Sequence, residues 1–311
     1  MSSIFREKIQ VRVFAESSIS SLGGNPLTIF LCDNSATTND EAHSNLAKTC
    51  PWESVMIQNI NHAFVHPEIA FYLPSGQSIS YCAHAAMGAV AYIAQSKNIS
   101  CGQIEYKCCS GGIDDDNNQQ IQIAFVDSNT VTLITKKQLI EESVDEAIVK
   151  KLIDLVGLSK SNIITSADVP SILNASVSRS KTLVMIENSY ILHAATGPSD
   201  AILFRDLCDS IQSTGLYLYS SVDTSSKQIN DDVNVVSTLC YECRQFPRSS
   251  GYPEDPATGI AAMALACSLS KRGFGSTFEF YQGTAMGRRS KIVVKDDGES
   301  IHCSGLVLFE K

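Results

Sequence analysis

Long apolar runs are missing from these 311 residues: 44% are apolar, yet no stretch reaches the ~18 needed for a membrane-spanning helix. The opening Met1-Ser2-Ser3-Ile4-Phe5-Arg6-Glu7-Lys8 lacks the apolar segment of a secretory leader. Positive charge is also short. With 24 Lys and Arg against 33 Asp and Glu, the net charge is −9, so no basic face is expected for nucleic acid or an anionic membrane. Histidines are few, and His43, His62, His66, His193 and His302 show no metal spacing. The chain is therefore expected to bind neither metal nor cofactor. Cysteine, by contrast, is plentiful: eleven scattered residues, an odd number, in a chain without a leader read as reduced thiols and predict a cytoplasmic protein.

Three local patterns carry less chemistry than they first suggest. Cys240-Tyr241-Glu242-Cys243 has redox or zinc spacing, but there is no second pair and it falls in what reads as a strand from Val233 to Phe246. Cys108-Cys109 precedes the Gly111-Gly112 turn, and neighbours on a strand point to opposite faces, so this pair reads as structural. The run Asp114-Asp115-Asp116-Asn117-Asn118 begins like a calcium loop, but position twelve is Phe125 where a bidentate Glu is required. It reads as a solvated hairpin turn.

Short strands alternate with few helices. Strands are predicted over Ile9 to Phe14, Leu27 to Leu31, Ser54 to Ile60, Ile69 to Leu73, Ile104 to Cys108, Ile121 to Phe125 and Val131 to Lys136. Helices are predicted over Asp40 to Thr49 and His84 to Lys97, then from a Ser143-Val144-Asp145-Glu146 capping box to Val156. Another is capped by Ser199 or Asp200 and runs to Ser213, and the last spans Pro256 to Arg272. The helices at 84–97 and 256–272 are rich in Ala and Gly on most sides, which suits a helix enclosed by sheet. Turn chemistry at Asp127-Ser128-Asn129 sets an expected boundary between halves 1–128 and 129–311.

The most informative stretch is Pro253-Glu254-Asp255-Pro256-Ala257-Thr258-Gly259, ahead of an apolar run through Ala266. Asp before Pro reads as a helix start, with Asp255 as N-cap and Pro256 as the first helical residue. Free amides and the positive end of the helix dipole there can hold a small anion together with Thr258 and Gly259. Taken alone, Asp-Pro is no more than a good cap.

These seven residues resemble the signature of the PhzF-like isomerases of phenazine biosynthesis, and four more blocks match in order. They are Val11 to Phe14 with Gly23-Gly24-Asn25-Pro26-Leu27; Cys50-Pro51-Trp52-Glu53-Ser54-Val55; Tyr72 to Gln77 with Cys82-Ala83-His84-Ala85-Ala86; and Gln282-Gly283-Thr284-Ala285-Met286-Gly287-Arg288-Arg289-Ser290. The resemblance spans about residues 9 to 295 and is weak from 98 to 230. It implies an α+β, diaminopimelate-epimerase-like fold, with two similar halves, each a curled, mostly antiparallel sheet around a central helix, and an active site in the cleft between them.

The same resemblance implies a cofactor-independent isomerase that moves a proton on a small carboxylated substrate. Glu53 is the implied general acid/base, with His84 and Asp255 as partners and Asn25, Ala83, Thr258, Gly259, Ile260 and Gly283 in the substrate pocket. Such a glutamate needs its pKa raised by a partly dry pocket, to which Trp52 would contribute, whereas a helix-start Asp255 is expected to stay charged. Family members are often homodimers, which the sequence neither supports nor opposes. Three positions depart from the family: Trp52 replaces a usual serine, Ala83 a glycine and Ile260 a serine. Two alternatives stay open. One is a catalytically inactive small-molecule-binding or regulatory protein. The other is a two-thiol amino-acid epimerase using Cys82 and Cys267, which this reading disfavours because neither cysteine falls at the expected helix start.

Overall fold

The computed structural model describes residues 5–17, 23–32, 40–61, 65–109, 121–164, 172–222 and 238–310. The acidic run 114–118, the 111–112 turn, His62 and residues 233–237 of the expected strand lie outside them. Two compact units emerge: Met1–Ile134 with Ser304–Lys311, and Thr135–Cys303. Among the described residues, no helix is long and apolar enough to cross a membrane.

The first unit comprises β1 (Phe5–Ala15), β2 (Asn25–Cys32), α1 (Asp40–Ala47), β3 (Ser54–Gln58), β4 (Glu68–Tyr72), β5 (Ser78–Ile79), α2 (Ala83–Ser96), β6 (Cys101–Cys108), β7 (Ile121–Asp127) and the start of β8 (Thr130–Lys136). Its sheet runs β1-β2-β3-β4-β6-β7-β8. From β1 onward the pairings are antiparallel, parallel, antiparallel, parallel, antiparallel and antiparallel. Parallel neighbours need a crossover, and α1 and α2 supply the two.

α2 packs on β1, β2, β3, β4, β6 and β7, and its Ala and Gly residues are what permit that enclosure. A Cβ on Gly88 would stand 2.4 Å from Leu27 Cδ2. Much of the side-chain bulk comes from the sheet, where Val11, Val13, Leu27, Ile29, Val55, Ile57, Ile69 and Phe71 are buried, beside Met87, Val90 and Ile93 of the helix.

The second unit contains β9 (Ile140–Glu142), α3 (Glu146–Leu155), β10 (Ile172–Ser176), β11 (Lys181–Met185), α4 (Ser189–Ala194), α5 (Ala201–Ser210), β12 (Gly215–Ser221), β13 (Leu239–Pro247), α6 (Gly259–Lys271), β14 (Thr277–Gln282), β15 (Ser290–Asp296) and the start of β16 (Ser300–Phe309). From β10 to β15, successive pairings are antiparallel, parallel, antiparallel, parallel and antiparallel. That repeats the first five pairings of the other unit, and α6 stands where α2 does, on the second crossover.

α6 packs on β10, β11, β14 and β15. α3 and α5 are amphipathic: Val149, Leu152, Ile153, Phe204 and Cys208 form a core with Val184, Leu216, Leu218 and Phe246 of the sheet. The fold is α+β with a mixed, mostly antiparallel sheet in each unit.

Several boundaries move. Asp145, not a box begun by Ser143, caps α3, because its carboxylate takes the Ala147 amide at 2.8 Å. Asp200 caps α5 through the amides of Ile202 and Leu203. β3 ends at Gln58, two residues early, where Asn59 turns the backbone to φ +59°. The 127–129 segment is the turn of the β7–β8 hairpin, with Ser128 at φ +55°, and the boundary in the contacts falls after Ile134.

Phe14 holds an unusual backbone position, φ +64°, at the bulge between Val13 and Ala15 in the pairing with β16. Its ring is fully buried against Gly305, where an added Cβ would lie 2.3 Å from Cδ1 and 2.9 Å from Cε1. A buried ring beside a strained backbone has little room to yield. Gly305→Ala is therefore expected to lower the unfolding free energy by about 1–3 kcal/mol, read from urea titration, as overpacked cores do.

Candidate active site

In the first unit, Asn25 opens β2 opposite Val13 and is 1% exposed. Gly24 before it takes φ +95°, and a Cβ there would approach the Val13 carbonyl to 3.0 Å, so glycine is required. Glu53 immediately precedes β3, where its carbonyl accepts the Thr28 amide at 3.2 Å and locks its backbone to β2. The residue is 6% exposed, and its carboxylate lies 3.9 Å from His84 Nε2. That distance allows charge interaction but exceeds hydrogen-bond length.

His84 is the second residue of α2 and is 5% exposed. Cys82 is the N-cap, which corrects the expectation that it misses the helix start. Its sulfur lies 3.2 Å from His84 Nδ1. Ala83, the first helical residue, is buried and adds only a methyl group. Thus Glu53, His84 and Cys82 form one buried chain of polar groups. Trp52 is only partly buried.

In the second unit the expected helix start is overturned. α6 begins at Gly259 with Thr258 as N-cap, so Asp255 is not the cap and Pro256 is not the first helical residue. The shift exceeds the usual one- or two-residue uncertainty of helix ends. Its cause is tertiary. The Asp255 amide donates to the Gln245 carbonyl at 3.0 Å, an isolated bridge that holds the residue to β13 instead of releasing it into a helix.

The Asp255 carboxylate takes the Thr258 hydroxyl at 2.5 Å and the Ala257 amide at 3.4 Å. Gln282 completes the loop. Its Nε2 donates to the Asp255 carbonyl at 2.6 Å and to Thr258 Oγ1 at 3.1 Å, while its Oε1 accepts the Thr258 amide at 3.1 Å. Gly283 follows at φ +79°, and a Cβ there would meet the Arg288 carbonyl at 2.5 Å and that of Pro256 at 2.8 Å. Both the backbone angle and the space demand glycine. Ile260 is buried in the first turn of α6.

Two anchors were not visible in the sequence. Arg244, 4% exposed, forks onto Glu254 with Nε–Oε1 2.9 Å and Nη2–Oε2 2.6 Å, and its Nη1 donates to the carbonyls of Leu192, His193 and Ala195. Because Glu254 precedes Asp255, this pair ties down the loop. Gln282 stood in a motif block but gave no sign of its partners. Arg289 is engaged too, lying 4.1 Å over the Tyr281 ring and 3.1 Å from Glu242.

Lys181 is buried near this loop, with its Nζ donating to the Thr214 carbonyl at 3.2 Å. Burial, then the Arg179 charge, push its pKa down to about 7, while Asp255 pulls it upward.

The other thiols offer little chemistry. Burial pushes Cys267, well inside α6, and Cys303 each up to about 12, and Cys108 and Cys109 to about 12 and 11. Cys240 and Cys243 are three apart on β13 and so face opposite sides of the sheet. Among the described residues, no group of three or more His, Cys, Asp or Glu is placed to hold a metal ion.

Glu254→Gln should strand a buried guanidinium and cost about 3–5 kcal/mol by urea unfolding. For Lys181, between about 7 and the ordinary ~10.4 the unfolded chain binds a proton that the folded one lacks, so stability rises with pH across that window. Lys181→Met should then gain most over the parent at pH 6, with the difference in urea midpoint closing toward pH 10.

The chain matches the PhzC-PhzF family, described as phenazine biosynthesis-like protein, over residues 11–305. Among solved structures it is similar to the Bacillus anthracis phenazine biosynthesis protein of the PhzF family, at 16% identity and TM-score 0.70, with 98% of each chain covered. It also resembles a predicted epimerase from Pseudomonas aeruginosa (17%, TM-score 0.73, 98% of this chain and 97% of the other). More distant is a hydroxyproline epimerase from Agrobacterium vitis with bound trans-4-hydroxy-L-proline (11%, TM-score 0.56, 99% and 91%). At these identities the likenesses establish the fold. No protein with a curated description matches significantly. A family match across nearly the whole length, with its motif residues in ordered loops and helix starts, places the chain in the PhzC-PhzF family of phenazine biosynthesis-like proteins.

Proposed function

We propose that this isomerase relocates a proton on a small carboxylic carbon acid, with Glu53 as general acid/base. The observation that carries the reading is the burial of Glu53 beside His84, 3.9 Å away. A carboxylate deprived of water holds its proton more readily, which is what taking a proton from carbon demands. In the proposed reaction, Glu53 takes a proton from a carbon activated by the substrate's carboxylate and conjugated double bonds, leaving a delocalised anion. Glu53 then returns the proton at another carbon, and His84 balances the changing charge.

Proton relocation leaves the oxidation state unchanged, so the reaction calls for no electron carrier. Asp255 is proposed as a further partner in the proton transfer, and Thr258, Gly259, Ile260 and Gly283 to bind substrate at the start of α6, with Asn25 and Ala83 serving Glu53's unit likewise. The match of their motifs to the family supports that assignment. A cytoplasmic, homodimeric protein fits the same reading. The proline-type epimerase alternative needs two reactive thiols, and Cys267 is held protonated deep inside α6.

The test is solvent-deuterium incorporation, followed by NMR in D₂O, into a panel of cyclic and unsaturated carboxylic acids. Wild type should label one class of acid, and Glu53→Gln should lower that rate by about 10²–10⁴-fold. Exchange unaffected by Glu53→Gln would overturn its role. No exchange anywhere would leave a binding protein, in keeping with the added bulk of Trp52 and Ile260.

A further inference from the structure

The N-cap of α2 is occupied by a residue that does not cap. Ser, Thr, Asp or Asn at such a position accepts an amide of the first turn, and replacing one by a non-capping residue costs about 1 kcal/mol. Cys82 has the extended backbone of an N-cap, φ −142° and ψ 109°, and its carbonyl accepts the Ala86 amide at 2.9 Å, yet its side chain takes no cap hydrogen bond. The sulfur turns to His84 Nδ1 at 3.2 Å instead. Cys82 is 6% exposed, so this contact lies out of water.

We infer that Cys82 is a positioning residue that holds the His84 ring through Nδ1 in either tautomer and so keeps Nε2 turned to Glu53. The inference rests on the reading of Glu53 and His84 as the proton-transfer pair. A neutral imidazole has one donor nitrogen and one acceptor, and what happens at Nδ1 decides the state of Nε2. When Glu53 is a carboxylate it can only accept, so the useful ring carries its proton on Nε2 and takes the thiol S–H at Nδ1. When Glu53 holds the proton from carbon it can donate, and the useful ring is bare at Nε2 and donates Nδ1–H to sulfur.

A thiol serves both arrangements because it is donor and acceptor at once. A hydroxyl does the same; a methyl group does neither. The 3.9 Å gap between His84 and Glu53 is of the kind that tightens when substrate binds.

The experiment is long-range ¹H–¹⁵N NMR of ¹⁵N-histidine-labelled protein, comparing wild type, Cys82→Ser and Cys82→Ala, with the ring assigned by its loss in His84→Gln. The neutral His84 ring of wild type and Cys82→Ser should show one protonated and one bare nitrogen, with the proton on Nε2. Cys82→Ala should shift the Nδ1 resonance, which loses its hydrogen bond, away from the position it has in wild type and Cys82→Ser. Cys82→Val, which keeps bulk without a hydrogen bond, replaces the alanine variant if that one does not fold.

Identical His84 shifts in wild type and the apolar variant would overturn the inference. This readout needs no substrate, so it stands or falls apart from the exchange assay. On an acid that the protein labels, Cys82→Ala should cut exchange on the order of tenfold and Cys82→Ser should recover it, the scale of other groups that orient an imidazole. Equal losses in both variants would mark a packing role and also overturn the inference.

Discussion

Each unit packs its sheet against a helix rich in Ala and Gly, and this close enclosure sets the terms for the residues around it. Ala and Gly along α2 let six strands approach its backbone, and large apolar residues of the sheet fill the space together with Met87, Val90 and Ile93 of the helix. A helix so enclosed cannot open into water. Its first residues must find partners within the protein, and polar side chains at those starts are held without solvent. The buried state of His84, and of Glu53 facing it, follows from that geometry.

The second unit meets the same demand differently. The loop ahead of α6 buries Glu254, Asp255 and the Thr258 amide, and each has a named partner: Arg244, the Thr258 hydroxyl and Gln282. A buried ion pair of this kind adds little net stability, since desolvation offsets much of the attraction, but it fixes geometry firmly because losing either partner is expensive. The guanidinium further ties the loop to the end of α4 through three carbonyls. Lys181 is the least compensated member, with its charge opposed by burial and by Arg179 and favoured by Asp255. Stability in this unit is thereby linked to proton binding near the loop.

Both units place their small-residue helix on a parallel crossover within the same order of strand pairings. Only the first brings a carboxylate and an imidazole together at the helix start; the second offers a carboxylate, a hydroxyl and an amide. The same scaffold thus presents two different chemical faces. Cys82 and Thr258 occupy equivalent N-cap positions, and in both the side chain forgoes capping for another side chain.

Much of this was legible in the order of residues. Alternating strands, the two small-residue helices and the family's motif blocks all depend on short spacings, and the blocks pointed to Glu53, His84 and Asp255 as candidates without coordinates. The helix start at Asp255-Pro256 was misread because a local preference for Asp as a cap was outweighed by a hydrogen bond to Gln245, ten residues away on another strand. The place of Cys82 at the N-cap is hidden for a like reason: it depends on backbone angles that spacing does not reveal. Arg244, Gln282 and Lys181 gave no signal, since their partners are brought close only by folding. The sequence by itself determined most strands of the first unit and which helices must be enclosed, because these rest on side-chain size and periodicity, and its motif blocks carried the family resemblance. Which polar atoms meet, and whether water reaches them, was decided only by tertiary structure, because hydrogen bonds and desolvation depend on distances of a few ångströms between residues far apart in the chain.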